Sequence, residues 1–174
     1  QILSLVQSLT QRDLLIVLLS GGASSVLCAP SAGLTLSDKQ RTTRLLLHSG
    51  APIHAINVVR KHVSAIKGGQ LAQATSANIL TLIISDVLGD DLATIGSGPT
   101  VPDSSTFQDA IEILKQYKIW SRLPGSVQHH LQKELANKIT GTLKPAKQRT
   151  IRNRHIILAN NRHALEGVAQ KARQ

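Results

Sequence analysis

The chain has 174 residues, enough for one domain with a sizeable core, and 41% of them are hydrophobic, which excludes a wholly disordered protein. Only 2% are aromatic, which excludes the aromatic platforms on which single-stranded nucleic-acid binders stack bases. The formal net charge of +10 favours anionic partners, namely nucleic acid, an anionic membrane surface, or phosphorylated and carboxylate small molecules.

Two further features concern the location of the protein. The sequence contains neither an apolar run long enough to cross a bilayer nor a signal-peptide pattern. Its single cysteine, Cys28, excludes an internal disulfide, fits a reducing compartment, and is expected to be a small buried hydrophobe. We therefore expect a cytoplasmic protein. Because the sequence opens at Gln1 without an initiator methionine, we also expect a piece of a longer chain.

Apolar residues follow helical and strand-like periods in alternation along the chain. This alternation predicts one α/β domain over residues 1–174, a three-layer α/β/α, Rossmann-like arrangement with a mainly parallel sheet. The predicted strands are Leu14–Leu19, 79–85 and 155–159, the first of them buried on both faces. The predicted helices are 1–10, 37–48, 52–66, 70–74, 105–117, 124–137 and 161–172. Two of these helices are expected to begin with capping boxes, Ser37 with Gln40 and Ser105 with Gln108.

A glycine–serine turn follows the first predicted strand, and it consists of Ser20, Gly21, Gly22, Ala23, Ser24 and Ser25. Glycines allow a sharp turn close to a ligand, and serines can cap a helix whose free N–H groups bind an anion. The turn matches neither a Walker A loop nor the G-x-G-x-x-G fingerprint. The pattern therefore indicates either a phosphate or carboxylate site or an ordinary structural turn.

Polar residues form a stripe along the third predicted helix. Asn57, Arg60, Ser64 and Lys67 follow one another at i, i+3, i+7 and i+10. Two cations, an amide and a hydroxyl suit a carboxylate or phosphate ligand, whereas the alternative is a solvated helix face. His62 falls toward the apolar side of this helix and is predicted to be a packed core histidine.

Acidic residues cluster after the second predicted strand. Asp86, Asp90 and Asp91 are three of the ten acidic residues of the chain and fall within six positions. Carboxylates at strand ends are common Mg²⁺ ligands and bases for phosphoryl transfer. The alternative interpretation is an ordinary polar loop.

A second glycine turn, Gly96-Ser97-Gly98-Pro99-Thr100, lies in the long loop that follows these acidic residues. A loop of this length inside a compact domain is usually functional or disordered. We predict that the turn closes over a ligand with backbone N–H groups and hydroxyl donors. The alternative is a plain rigid turn.

Five motifs in the same order resemble those of the type II glycerate kinases, the glycerate 2-kinases that carry a MOFRL domain at the C-terminus. The motifs are Ser20-Gly21-Gly22, residues 36–40, residues 57–69 (NVVRKHVSAIKGG), residues 85–91 (SDVLGDD) and residues 97–103 (SGPTVPD). The resemblance covers nearly the whole chain from about residue 12, and the order of several motifs makes it specific.

The resemblance implies a kinase that uses ATP and Mg²⁺ to convert D-glycerate to 2-phosphoglycerate, in a family where some members are named hydroxypyruvate reductase. It implies catalytic roles for Lys67, Asp86 and Asp90, with the two aspartates as base or Mg²⁺ ligands. It places the substrate at Ser20, Gly21, Gly22, Ser24, Asn57, Arg60 and Ser64. It places the nucleotide or its phosphates at Ser97, Gly98 and Thr100. These residues would line a cleft between this domain and a second one.

Two departures from the family pattern limit what these residues alone are expected to do. The family usually has a third glycine and then Ser-Ala where this chain has Ala23, Ser24 and Ser25. The chain also lacks the family's N-terminal segment with a Gly-Lys-Ala motif and its whole C-terminal domain. We therefore predict little or no kinase activity from the 174 residues alone, and self-association through exposed apolar surface.

Two other functions are weighed against the kinase. A hydroxypyruvate reductase is disfavoured because no strand is followed by G-x-G-x-x-G with an acidic residue about twenty positions later. A basic nucleic-acid-binding module would account for the charge, but aromatic residues, zinc ligands and a recognisable binding motif are lacking. Small molecules are therefore the expected partners, rather than nucleic acid or a membrane.

Overall fold

The computed structural model describes residues 1–139, 141–148 and 152–173. Its strands are β1 (Leu14–Leu19), β2 (Asn78–Ile84) and β3 (Asn153–Ala159). Its longer helices are α1 (Ile2–Gln7), α3 (Leu36–His48), α4 (Ile53–His62), α6 (Phe107–Gln116), α7 (Gly125–Ala136) and α9 (Asn161–Ala172). Single-turn helices are α2 (Ala23–Val26), α5 (Gln70–Gln73) and α8 (Pro145–Gln148), and 3₁₀ turns lie at Leu88–Asp90, Ile95–Ser97 and Trp120–Arg122.

The three described strands form one parallel sheet in the order β1-β2-β3. Leu14 lies opposite Asn78 in the first pair of strands, and Ile79 lies opposite Asn153 in the second pair. Parallel neighbours need crossover connections, which are supplied here by chain segments that contain helices. The prediction of an α/β fold with a parallel sheet is confirmed, and β1 has the predicted bounds.

The two faces of the sheet differ in how well they are covered. Leu19 and Ile83 lie in the core on one face, whereas the exposed fractions of Ile16, Leu18 and Ile84 on the other are 52%, 74% and 53%. The prediction that β1 is buried on both faces was therefore wrong. Side chains alternate between faces, and among the described residues no helix covers the face that Ile16 and Leu18 share. An apolar run in the sequence does not show which segment will cover it.

The largest core cluster lies among helices α3, α4, α6 and α7. Val59 of α4, Leu114 of α6 and Leu131 of α7 are fully buried in it, together with Leu46 of α3. His62 packs edge-on against Phe107 with ring centroids 4.7 Å apart, so the prediction of a core histidine is confirmed. This packing fixes the position of α4, which carries two residues of the predicted polar stripe.

Both predicted capping boxes were wrong in their residues. α3 is capped by Thr35 with Asp38, and α6 is capped by Thr106 with Asp109. In each box the aspartate accepts from the N–H and the hydroxyl of its threonine, for example at 2.9 and 2.8 Å in the first box. A short carboxylate at this position can satisfy both donors, so Thr-x-x-Asp begins the helices where Ser-x-x-Gln was expected.

A buried ion pair anchors α4 to the loop before α6. Lys61 Nζ lies 3.2 Å from Asp103 Oδ1, and both side chains are buried. Burial acts to raise the pKa of Asp103, but the charge of Lys61 and a hydrogen bond from Ser105 outweigh it, so the pKa lies below its usual value. No described helix combines the length and the hydropathy needed to cross a bilayer.

Candidate functional site

The polar stripe predicted on one helix is divided between a helix and a turn. Asn57 and Arg60 lie on α4, whereas Ser64 and Lys67 follow its last residue, His62. The prediction of a helix that continues to residue 66 was therefore wrong. Asn57, Arg60 and Lys67 nevertheless converge on one polar network, because the turn carries Lys67 back toward the same side.

Ser64 shows why α4 ends where it does. Its backbone forms an isolated antiparallel bridge with Pro30, and its hydroxyl donates to the carbonyl of Ala29 at 3.2 Å. The same hydroxyl accepts from the N–H of Lys67 at 3.4 Å. A serine hydroxyl that serves nearby backbone groups competes with helical bonding. Ser64 therefore holds the turn that carries Lys67.

Lys67 joins the two glycine turns singled out in the sequence. Its Nζ donates to the carbonyl of Ser24 at 2.9 Å, to the Ser24 hydroxyl at 3.2 Å and to the carbonyl of Gly96 at 3.3 Å. The ammonium group has three N–H donors, so all three have protein acceptors. The residue is only 2% exposed. Lys67 thus ties the glycine–serine turn after β1 to the turn at Ile95–Ser97.

Arg60 strengthens the same network from α4. Its Nη2 donates to the carbonyl of Ser24 at 2.8 Å, and its Nη1 lies 3.5 Å from Asn57 Oδ1. The hydroxyl of Ser97 donates to Asn57 Oδ1 at 3.4 Å and shares a hydrogen bond of 2.8 Å with the Ser24 hydroxyl. Three predicted segments, separated by up to 73 residues, are therefore brought together here.

A pocket of about 620 Å³ opens beside this network. Its lining residues are Ser24, Ser25, Val26, Cys28, Leu36, Lys39, Gln40, Thr43, Arg44, Leu47, Arg60 and Lys67. Half of its wall comes from α3; residues 36–40 of this helix are among the family motifs, but no binding role was predicted for them. The available signal was that Lys39, Thr43 and Leu47 recur at intervals of four residues, which places them on one helical face.

Lys39 and Cys28 lie on the wall of this pocket that the sequence reasoning missed. The Nζ of Lys39 donates to the carbonyl of Ala29 at 3.3 Å, and the residue is buried. Cys28 is a free, exposed cysteine that contacts the Lys39 amine, so the expectation of a buried hydrophobe was wrong. Because of the turn that follows α2, the thiol of Cys28 lies at the pocket beside Lys39 and does not pack in the core.

Lys39, Arg60 and Lys67 form the cation cluster of the pocket. Among the described residues, no carboxylate pairs with any of the three; the described ion pair is the one between Lys61 and Asp103. Burial, and then the charges of Arg60 and Lys39, lowers the pKa of Lys67 to about 7. Burial also lowers the pKa of Lys39 and that of Arg60. Buried cations without a counter-ion form a site suited to a carboxylate or phosphate.

Two predicted catalytic residues, Asp86 and Asp90, lie beyond the carboxyl end of β2. A Cβ atom placed on Gly21 would come within 2.6 Å of Asp86 Oδ2, so this carboxylate packs directly against the glycine–serine turn. Asp90 accepts from Asn160 Nδ2 at 2.5 Å, and hydrogen bonds from Ser85 and Asn160 lower its pKa. Asp86 thus faces the turn, while Asp90 fastens the loop to the N-cap of α9.

The predicted Mg²⁺ site at Asp86 and Asp90 has few ligands of its own. Within the described part of the chain, no three His, Cys, Asp or Glu side chains are arranged to hold a metal. Mg²⁺ is usually bound through one or two carboxylates together with waters and substrate phosphates. Two carboxylates match the number that such a partial shell uses, and the role of Asp86 and Asp90 as ligands stays a prediction.

The remaining predicted residues have structural partners. Thr100 is buried against the sheet, where its Oγ1 lies 3.1 Å from Thr81 Oγ1 and 3.0 Å from His155 Nε2. Gly98 accepts from the N–H of Gly69 at 2.7 Å. The structure therefore does not bring Thr100 or Gly98 to the pocket, whereas the neighbouring Ser97 is part of the polar network.

The first half of the glycine–serine turn supports α2. The carbonyl of Ser20 accepts from the N–H of Ala23, and Gly22 caps α2 in the left-handed region at φ 80°. α2 has four residues, so its dipole is far weaker than that of a full helix. The turn contributes to the site mainly through Ser24, whose carbonyl and hydroxyl meet the cation cluster.

Comparison with known proteins identifies the family. Residues 1–132 match the family described as "Domain of unknown function (DUF4147)". The chain belongs to this family. As a DUF4147 protein it is 43% identical over 173 residues to the glycerate 2-kinase of Pyrococcus horikoshii, an alignment covering 99% of this chain and 38% of that protein. The predicted resemblance to the glycerate kinases is therefore confirmed.

Two further relatives of this DUF4147 chain bear on its fold and function. It resembles the crystal structure of the Thermotoga maritima glycerate kinase with a TM-score of 0.81 and 36% identity, over 98% of this chain and 39% of that chain. It is 48% identical over 142 residues to an Agrobacterium vitis protein whose name includes hydroxypyruvate reductase, covering 81% of this chain and 36% of that protein. The chain thus spans less than two fifths of the length of each of these proteins.

Proposed function

We propose that this chain forms the anion-binding wall of the substrate cleft in an enzyme that transfers the γ-phosphoryl group of ATP to D-glycerate. The observation that carries the proposal is the cation cluster, three buried or half-buried cations on one pocket without a carboxylate partner among the described residues. The substrate and the product are both anions. The relatives named as glycerate 2-kinase support this choice of substrate.

Arg60 and Lys39 are the groups assigned to the ligand. Arg60 presents a planar fork of donors that matches a carboxylate or phosphate in two-point geometry. Lys39 adds a point charge from α3, which also lines the pocket. The N–H donors of Lys67 are bonded to Ser24 and Gly96. The role assigned to Lys67 is therefore to hold the two turns together and to supply positive charge at the pocket.

Asp86 is assigned as the base for the substrate hydroxyl or as a Mg²⁺ ligand. In the reaction, the hydroxyl oxygen forms a bond to the γ-phosphorus, the bond to the ADP oxygen breaks, and the hydroxyl proton is lost to a base. Asp86 lies against Gly21, next to the turn that Lys67 and Arg60 fix. Mg²⁺ would be held by Asp86 and Asp90 and would neutralise charge on the phosphates of ATP.

The 174 residues alone are expected to have little or no kinase activity, because they span less than two fifths of the named kinases. A kinase must enclose its substrates to exclude water. The pocket described here is open to solvent, so we expect residues outside these 174 to form the second wall of the cleft. We place the enzyme in the cytoplasm, since the single free thiol fits a reducing compartment.

The alternative, a hydroxypyruvate reductase, has the name of the Agrobacterium vitis relative in its favour. A dinucleotide-binding strand would need a glycine fingerprint and an acidic residue for the ribose, and this chain lacks that pattern. The kinase is therefore preferred.

A chimeric enzyme tests the proposal. The 173 aligned residues of the Pyrococcus horikoshii glycerate 2-kinase would be replaced by those of this chain, and phosphoglycerate would be measured after incubation with ATP and D-glycerate. We expect ATP-dependent phosphorylation by the chimera and none by the 174 residues alone. A folded chimera that reduces hydroxypyruvate with NADH or NADPH but does not phosphorylate glycerate would overturn the proposal.

A further inference from the structure

We propose that the pocket takes up a proton from solvent when it binds a doubly charged anion such as a phosphate group, and that the cation cluster receives this proton. The inference rests on the proposed function only in placing an anionic ligand at this pocket. Beyond that function, it states that the preferred ligand carries two negative charges and that the affinity for this ligand depends on pH.

The cation cluster comes from three separate segments that packing holds together. Lys39 lies on α3, Arg60 lies on α4, and Lys67 lies in the turn after α4, yet all three line the same pocket. Arg60 and Lys67 donate to the same carbonyl oxygen, that of Ser24, at 2.8 and 2.9 Å. Two cationic groups that share one acceptor lie within a few ångströms of each other, so each opposes the charging of the other.

The groups that face Lys67 supply little compensating charge. From α2 and the turn after β1 it meets Ser24, from the loop after β2 it meets Gly96, and both are neutral. The titratable or charged groups around it are Arg60, Lys39 and the thiol of Cys28. Within the described part of the chain, no carboxylate is among the groups that act on Lys67. Without a bound anion, the cluster therefore carries less than three full charges near neutral pH, because the pKa of Lys67 is about 7.

A bound anion reverses this balance. An opposite charge near an amine favours its protonated form and raises its pKa. Ligand binding and proton binding are then coupled, and each strengthens the other by the same factor. A sulfate or phosphate with two charges has a larger effect than a carboxylate with one. The expected preference of the pocket is thus for a phosphate group over a simple carboxylate, most strongly above pH 7.

Protonation also affects the two turns that Lys67 joins. A neutral amine has two N–H donors and a lone pair, so it can satisfy only two of the three acceptors offered by Ser24 and Gly96. The charged form satisfies all three. Anion binding should therefore tighten the link between the glycine–serine turn and the turn at Ile95–Ser97. The proton taken up by Lys67 would therefore also strengthen the contact between the two turns.

Calorimetry with sulfate tests the proposal directly on the 174-residue chain. Sulfate keeps two charges from pH 5.5 to pH 8, so any proton exchanged on binding belongs to the protein. Titrations at pH 8 in two buffers of different ionisation enthalpy should show uptake of roughly half to one proton per sulfate, and titrations at pH 5.5 should show almost none. Sulfate should bind at least about tenfold more tightly than acetate at both pH values.

Two variants and a control assign the proton to its residue. Lys67→Arg keeps a charge that does not titrate in this range, so sulfate should still bind at pH 8 but without proton uptake. Lys67→Met should lose the uptake and bind sulfate at least about tenfold more weakly at pH 5.5. Lys133→Met changes an exposed lysine on α7, far from the pocket lining, and should behave like the unmodified chain.

The outcomes separate this inference from the proposed function. Equal sulfate affinity at both pH values without proton uptake would overturn the inference. A chain that does not bind sulfate would also overturn it. So would proton uptake that is still measured in Lys67→Arg. Each of these three results would leave the kinase assay of the chimera as an independent test. Proton uptake by this chain together with an inactive, folded chimera would instead support the inference and contradict the kinase.

Discussion

Lys67 and Ser24 are 43 positions apart in the sequence and are joined by two hydrogen bonds from one ammonium group, 2.9 Å to the carbonyl and 3.2 Å to the hydroxyl of Ser24. The contact fixes the glycine–serine turn that follows β1. It also explains why a lysine at this position is almost fully buried. The charge of Lys67 and the shape of the turn are therefore linked.

The stability of the chain should depend on pH through Lys67. Its pKa is about 7 in the folded chain and near 10.5 without the fold, so between these values the unfolded chain binds more protons. The free energy of unfolding should therefore rise with pH across this window, by up to about 1.4 kcal/mol per pH unit from this residue. Urea denaturation at pH 7.5 and 9 measures the rise. Lys67→Met should lose it, and a variant that keeps the full rise would contradict the assignment.

The ion pair of Lys61 and Asp103 should be sensitive to removal of one partner. Lys61→Met leaves a buried carboxylate without its cation, which should lower the free energy of unfolding by about 3–5 kcal/mol. The pKa of Asp103 lies below its usual 3.8, so the contribution of the pair is present above that pH and is lost as the pH falls through the lowered pKa. The cost of Lys61→Met should shrink in acid.

A matched double variant separates charge from packing at this pair. Lys61→Met combined with Asp103→Leu removes both charges, and it should recover much of the stability that Lys61→Met alone loses. Urea denaturation at pH 7, and again at about pH 3, below the usual pKa of an aspartate, gives both comparisons. A single variant as stable as the unmodified chain at pH 7 would show that the pair contributes nothing.

Gly21 and Gly22 offer a pair of neighbouring tests. In Gly21→Ala the new methyl group would lie 2.6 Å from Asp86 Oδ2, so it must displace that carboxylate. In Gly22→Ala the methyl group meets nothing within 4 Å but adopts φ 80°, which costs about 1 kcal/mol of strain. Gly21→Ala in the chimera should lower kcat for glycerate at least about tenfold. Gly22→Ala should mainly lower stability, and equal kcat in both variants would argue against a role for Asp86.

The positions of the apolar residues in the sequence predicted most of the fold. The runs at β1, β2 and β3 predicted a parallel sheet because consecutive strands joined through helices come out parallel. What covers each face depends on contacts between distant segments, so the open face at Ile16 and Leu18 was not predictable from the strand itself.

The site was predictable in part. Ser24, Asn57, Arg60, Lys67 and Ser97 were singled out by residue type and spacing, and the structure joins them in one network. The wall from α3 was missed because Lys39 reads as an ordinary surface lysine in the sequence. Its burial arises only when the chain before α3 folds against it and Ala29 offers a carbonyl.

The open face of the sheet should make the isolated chain self-associate. Leu18 of β1 and Leu158 of β3 are 74% and 56% exposed on this face, and contiguous exposed apolar surface drives association. Leu18→Lys should shift sedimentation velocity toward the monomer. Leu88→Lys alters a leucine that is 95% exposed in a loop, and it serves as the control. A chain that is monomeric at all concentrations would contradict this expectation.

The effect of Arg60→Gln on the chimeric kinase tests most directly whether the cation cluster binds the substrate. α4 keeps its place through packing of the helix, so the variant removes the positive charge and the guanidinium fork without moving the backbone. We predict that the KM for D-glycerate or ATP rises at least about tenfold. Arg122→Gln, at an exposed arginine away from the pocket, should leave both KM values unchanged. Unchanged KM and kcat in Arg60→Gln would contradict the account.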